Sequence, residues 1–78
     1  MNMIKELDPV VLTCDLPAHA LTRGDVGTAV IVHGRGEAFE VEFVDYDGQT
    51  IALLTLERNQ IRPLQRGDIP HVRELASA

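Results

Sequence analysis

The residue of this chain best suited to covalent chemistry is its single cysteine. Cys14 could act as a nucleophile beside a histidine and a carboxylate, because a thiolate needs a base to form at neutral pH. It stands at the end of an apolar run, however, where a lone cysteine behaves as a small hydrophobic residue. We therefore predict no catalytic residue and no enzyme activity.

The three histidines do not have the spacing of a metal site. His19, His33 and His71 are 14 and 38 residues apart and fall in different segments. A zinc site is normally built from paired Cys and His ligands at short separations. The sequence therefore predicts neither a metal nor a cofactor, and we expect His33, at a strand end, to be solvated or hydrogen bonded.

Acidic residues are concentrated between residues 36 and 57, where no Lys or Arg occurs. Glu40 and Glu42 alternate with apolar residues and project from one face of a strand, and Asp45 and Asp47 follow in the next turn. Carboxylate pairs can perform acid–base catalysis, but nothing nearby indicates a pocket that would keep one protonated and the other charged. Two interpretations remain: a solvated face that protects the sheet, or a docking surface for a basic partner protein.

Arginines outside this segment could form a smaller basic side. Arg23, Arg58 and Arg62 are the candidates for nucleic-acid contact if the chain is a nucleic-acid-binding module. The whole chain carries 12 Asp and Glu against seven Lys and Arg, for a net charge of −5. This balance disfavours nucleic acid as a partner, because few cations are available to release counterions.

Length and composition indicate one small folded domain. The chain has 78 residues, of which 45% are apolar, enough for a single core. A lone cysteine cannot form an internal disulfide, and no charged stretch leads into an apolar run at the N-terminus, so we predict a cytoplasmic protein without a membrane segment. The absence of tryptophan disfavours a groove for proline-rich peptides.

The spacing of apolar residues predicts five short strands. The clearest is 38–44, in which Phe39, Val41 and Phe43 share the core face. An Asp-Gly pair at 47–48 predicts a tight hairpin to an antiparallel partner strand over 50–56. The other expected elements are a loose turn or frayed end over 1–8, strands over 10–14, 28–33 and 61–64, a long loop over 16–27 and a single turn over 56–60. The nearly continuous apolar run at 28–33 indicates a strand covered on both faces or bending across a small barrel.

This arrangement predicts a small five-stranded SH3-like barrel over residues 1–64, followed by a tail over 65–78. Segment 24–30 resembles the entry turn of KOW, nitrile-hydratase-β-like and other SH3-like domains. Closure would remove most exposed sheet edges. In the tail, Asp68 could cap a short helix with Ile69 and Val72 at helical spacing. The tail is expected to dock on the barrel or on a second copy, and we predict a homodimer.

Motifs distributed over residues 4–64 carry a family resemblance. They are Ile4 through Thr13, Asp15-Leu16-Pro17 with Leu21, Gly24 through Thr28, Phe39 through Phe43, the Asp47-Gly48 turn, and Leu56 with Ile61 through Pro63. Together they resemble the small bacterial proteins of domain of unknown function 4926. The resemblance implies a stand-alone SH3-like β-barrel with no assigned enzyme activity, and family members look like small partners of toxin-type proteins encoded beside them.

The leading hypothesis is a non-enzymatic protein-binding module of antitoxin or immunity type. Its acidic face, formed by Glu40, Glu42, Asp45 and Asp47, would cover a basic surface on a toxin-like partner. One alternative is a KOW-like nucleic-acid-binding module using the arginines named above. Another is an accessory domain similar to the nitrile-hydratase-β-like barrels.

Overall fold

The computed structural model describes residues 3–75 and shows an all-β chain. The strands are β1 (Pro9–Leu12), β2 (Val26–His33), β3 (Ala38–Val44), β4 (Thr50–Glu57) and β5 (Ile61–Pro63). A 3₁₀ turn, Pro17–His19, lies in the long loop between β1 and β2. The predicted fold class of five short strands with a long loop after the first is confirmed.

The strands form one antiparallel sheet in the order β4-β3-β2-β1-β5. β5 is three residues long and pairs with β1. Within residues 3–75 no ladder joins β4 to β5, so the sheet is open at these two strands and does not close into the expected barrel. The strand order is compatible with an SH3-like arrangement, which stays a prediction.

The core lies on the inner face of the sheet. Phe39, Val41 and Phe43 are buried, as their alternation in β3 predicts. Burial of each such side chain contributes about 1.5–3 kcal/mol through the hydrophobic effect. They pack in one cluster with Val10, Leu12, Leu21, Ala29, Leu56 and Ile61.

Two glycines of the predicted entry turn have different roles. Gly24 adopts a φ of +96°, which a residue with a Cβ rarely takes. Gly27 lies within β2, where an added Cβ would be 2.8 Å from the Phe43 ring and 2.8 Å from Val41 Cγ1. Gly24 therefore serves backbone conformation, and Gly27 serves the close packing of β2 on β3.

The N-terminal segment forms a turn that is tied to the sheet, so the alternative of a frayed end is wrong for residues 3–8. The Leu7 N–H donates to the Ala29 carbonyl at 2.6 Å, and the Lys5 N–H donates to the Asp8 carboxylate at 2.8 Å. Ile4 packs against the core.

The helix predicted after Asp68 does not form. Residues 65–75 contain neither helix nor strand. The Asp68 carboxylate accepts from the preceding Gln65 N–H at 2.7 Å, rather than from an N–H downstream. Pro70 also disfavours a helical conformation at Ile69.

Nowhere in residues 3–75 is a helix long and apolar enough to cross a membrane.

Candidate functional site

The candidate site is the exposed side of the sheet across β2, β3 and β4. Glu40 and Glu42 lie on this side, because the residues that alternate with them in β3 are buried. The strand register places Ile31 and Thr55 opposite Glu40, and Leu53 opposite Glu42. Residues directly opposite each other project from the same face. We call this surface the outer face, and it consists of Thr28, Ile31, Glu40, Glu42, Leu53 and Thr55.

Glu40 is held by two hydrogen bonds at the centre of the outer face. The Thr55 hydroxyl donates to Glu40 Oε2 at 2.6 Å, and the His33 Nε2–H donates to the same oxygen at 2.8 Å. The hydrogen bond from Thr55 and, to a smaller extent, the hydrogen bond from His33 lower the pKa of Glu40. The carboxylate is therefore fully charged at neutral pH, and the predicted hydrogen-bonded state of His33 is confirmed.

Glu42 is positioned in a similar way. The Thr50 hydroxyl donates to Glu42 Oε2 at 2.7 Å across the β3–β4 ladder. Both glutamates of the outer face thus have a defined orientation while remaining half-exposed. An ordered carboxylate loses less conformational entropy when a partner binds than a freely rotating one does.

The two aspartates of the predicted acidic site lie beyond the end of β3. Asp45 Oδ1 accepts from the Asp47 N–H at 2.9 Å and from the Gln49 N–H at 3.0 Å, so it stabilises the hairpin turn. Gly48 completes the turn with a φ of +82°. Asp47 is exposed at the tip. The structure therefore groups Glu40 and Glu42 on the outer face and places Asp45 and Asp47 in the adjoining turn.

The outer face also carries apolar side chains that sequence reasoning missed. Ile31 is 46% exposed and Leu53 is 57% exposed. Of the two alternatives predicted for this strand, coverage on both faces is therefore wrong at Ile31, and the other, bending across a small barrel, stays a prediction. The signal was available in β3, because any residue opposite Glu40 or Glu42 must share their solvent-facing side.

The predicted basic residues fall in three different segments. Arg23 is in the β1–β2 loop, Arg58 is in the turn after β4, and Arg62 is in β5. Arg62 is already paired: its two terminal nitrogens donate to the Asp68 carboxylate at 2.8 and 3.0 Å. The charge of Arg62 is thus largely compensated by the tail.

A second ion pair attaches the tail to the β1–β2 loop. Arg73 donates to both carboxylate oxygens of Asp25, at 2.8 Å from Nε and 2.6 Å from Nη2, and to the Ala20 carbonyl at 2.9 Å. Partial burial raises the pKa of Asp25, but the hydrogen bonds from Arg73 and the Thr22 N–H outweigh it and leave the pKa lowered. The described part of the tail therefore docks on its own domain, one of the two expected outcomes.

A groove of about 470 Å³ lies where this tail meets the end of the sheet. Its walls include Val26, Val44 and Ile51 from the strands and Val72 from the tail.

Among residues 3–75, no three His, Cys, Asp or Glu side chains are grouped closely enough to hold a metal ion. Cys14 is a free, half-buried thiol.

Comparison with known proteins places the chain in a family. A search of curated proteins and a search of solved structures found no match. The sequence model of one family, described as a domain of unknown function (DUF4926), matches residues 6–63. These residues include all five strands and both glutamates of the outer face, whereas the tail that carries Asp68 and Arg73 follows the matched region. The chain belongs to the DUF4926 family.

Proposed function

We propose that this protein is a non-enzymatic protein-binding module that docks through its outer face on a basic surface of a partner protein. The observation that supports this proposal most directly is the juxtaposition of ordered carboxylates and exposed aliphatic side chains. Glu40 and Glu42 lie between Ile31 on β2 and Leu53 on β4. Apolar contacts can contribute affinity there, and the carboxylates can contribute charge complementarity.

The hydrogen bonds on the outer face favour binding over a purely solubilising role. A solubilising glutamate needs only to be charged and hydrated, and its side chain can rotate freely. Glu40 instead accepts from His33 and Thr55, and Glu42 accepts from Thr50. All three bonds fall on Oε2 atoms, which leaves Oε1 of each carboxylate to accept a charge-assisted hydrogen bond from an arginine or lysine of a basic partner.

More specifically, we propose that the partner is a basic, toxin-like protein and that this chain is an antitoxin or immunity-type protein. The mechanism is occlusion: the outer face covers cationic residues that the partner needs for its own activity. Asp45 and Asp47 extend the negative potential toward the hairpin tip and accelerate association without direct contact. The family resemblance described above supports this form of the proposal.

Co-purification of tagged full-length protein from its native host tests the proposal. The test variant is Glu40→Lys with Glu42→Lys, and the matched control is Glu6→Lys with Glu74→Lys, which changes the net charge equally at exposed positions away from the outer face. We expect a specific partner with wild type and with the control, and its loss with the test variant. A partner retained equally by both variants would refute docking through the outer face.

An isosteric variant separates charge from shape. Glu40→Gln with Glu42→Gln preserves an oxygen that can accept from Thr50, Thr55 and His33 while removing both negative charges. We expect this variant to associate with the captured partner more slowly, because electrostatic steering acts mainly on the association rate. Surface plasmon resonance with the purified pair measures the change, and an unaltered association rate would exclude the electrostatic part of the mechanism.

A further inference from the structure

The two edges of the sheet differ in how they are protected from pairing with another chain. β5 is three residues long and contains Pro63 and Arg62, features that blunt an edge strand. β4 spans eight residues, Thr50–Glu57, with no proline and no charged residue before its end. It pairs with β3 on one side, and among residues 3–75 no strand pairs with its other side. Backbone N–H and C=O groups of alternate β4 residues are therefore available for a further strand.

The hydrophobic core is incompletely covered along this same edge. Ala52 and Leu54, on the inner face of β4, pack against the core but remain partly exposed. Leu53, on the outer face, is 57% exposed. An additional strand beside β4 would cover apolar surface on both faces of the sheet and would satisfy the edge hydrogen-bonding groups.

We propose that β4 pairs antiparallel with β4 of a second copy of this chain, so that two sheets form one continuous sheet in a homodimer. A two-fold axis perpendicular to the sheet relates the copies, since antiparallel pairing of identical strands generates that symmetry. This route to a dimer uses neither the tail nor the β1–β2 loop, which are held together by the ion pair between Arg73 and Asp25.

The distribution of charge along β4 favours a second copy as the occupant. Each chain has a net charge of −5, so two copies repel each other in most relative orientations. Residues 50–56 form an uncharged strip in which they can approach closely. Antiparallel pairing also places Glu57 of one copy near the Thr50 end of the other and away from the other Glu57. The strip is thus complementary to itself despite the overall repulsion.

The proposal is tested by measuring the mass of purified full-length protein at increasing concentration by sedimentation equilibrium. We expect a transition from 8.6 kDa to twice that mass. Leu53→Lys introduces an edge lysine that opposes strand pairing, and we expect it to remain monomeric. Ile31→Lys is the matched control, because Ile31 is a comparably exposed aliphatic residue of the outer face but lies on the interior strand β2.

The outcomes separate the β4 edge from other contacts. A monomer at every concentration would refute the dimer. A dimer that survives Leu53→Lys, or that is lost equally in Ile31→Lys, would place the contact elsewhere and overturn the proposal. Thermal unfolding of both variants checks that they fold, and amide hydrogen exchange gives a direct readout: protection should rise with concentration in β4 and stay constant in β5. Because only purified protein is used, the result is independent of any partner at the outer face.

Discussion

At the scale of single residues, two aromatic side chains provide a sharp test of where the core lies. Phe39 is 2% exposed, whereas Tyr46 is fully exposed in the hairpin turn. Phe39→Ala should lower the free energy of unfolding by about 3–5 kcal/mol through lost burial and a residual cavity. Tyr46→Ala should change it by less than about 0.5 kcal/mol. Urea titration followed by circular dichroism measures both, and equal costs would contradict the assigned inner face.

Gly27 allows a test of close packing that is independent of hydrophobic burial. A methyl group at this position would meet the Phe43 ring and Val41 Cγ1, each at 2.8 Å, and the Glu42 carbonyl at 2.9 Å. We expect Gly27→Ala to destabilise the domain by about 1–3 kcal/mol, the usual cost of overpacking.

Gly24→Ala is the control for this substitution, since a Cβ at Gly24 would meet nothing within 4 Å. Its cost should be confined to the strain of a positive φ, about 1 kcal/mol. Chemical denaturation of the two variants side by side compares them. If Gly27→Ala proved as stable as wild type, the close approach of β2 and β3 would be wrong.

At the scale of elements, the attachment of the tail depends on the ionisation of Asp25. The pKa of Asp25 is lowered in the folded chain, so its contribution to stability is fully present above the ordinary Asp value of about 4 and is lost as the pH falls through the lowered value. We expect the backbone of residues 69–75 to be ordered at neutral pH and to become mobile in acid, as measured by NMR relaxation of the backbone amides.

The variant Asp25→Asn supplies the comparison for this titration. It should release the tail at every pH and cost about 1 kcal/mol or less, because the ion pair with Arg73 is partly exposed. Asp8→Asn is a suitable control: Asp8 also accepts a local backbone hydrogen bond, from Lys5, but does not contact the tail. A tail that stays ordered in acid, or in Asp25→Asn, would show that other contacts hold it without the ion pair.

The strands could be predicted from the sequence more completely than the segments that join them. The range 38–44 agrees with β3 because strict alternation defines both the strand and its buried face. The tail gave a misleading helical spacing at Ile69 and Val72, since a residue that decides its path, Asp25, is 48 positions from its partner Arg73 in the sequence. The exposure of Ile31 and Leu53 was not predicted for a related reason. It depends on which residue of the neighbouring strand lies opposite each of them.

At the scale of the whole molecule, the proposed dimer and the proposed partner complex make opposite use of charge. The two-fold axis perpendicular to the joined sheet places both outer faces on the same side. Glu40 and Glu42 of the two copies then contribute to one larger negative surface. This arrangement raises the potential that attracts a basic partner, but it also raises the repulsion between copies.

The dependence on salt distinguishes the two associations. Ions screen repulsion between like-charged copies, so the dimer dissociation constant should fall between low and physiological ionic strength. The same screening weakens attraction between the outer face and a basic protein, so the association rate with the partner should fall over that range. Sedimentation equilibrium follows the first quantity and surface plasmon resonance follows the second. Glu40→Gln with Glu42→Gln should reduce both salt effects, because it removes charge from the surface that the two associations share. If salt strengthened both associations, or weakened both, one of the two surfaces would be wrongly assigned.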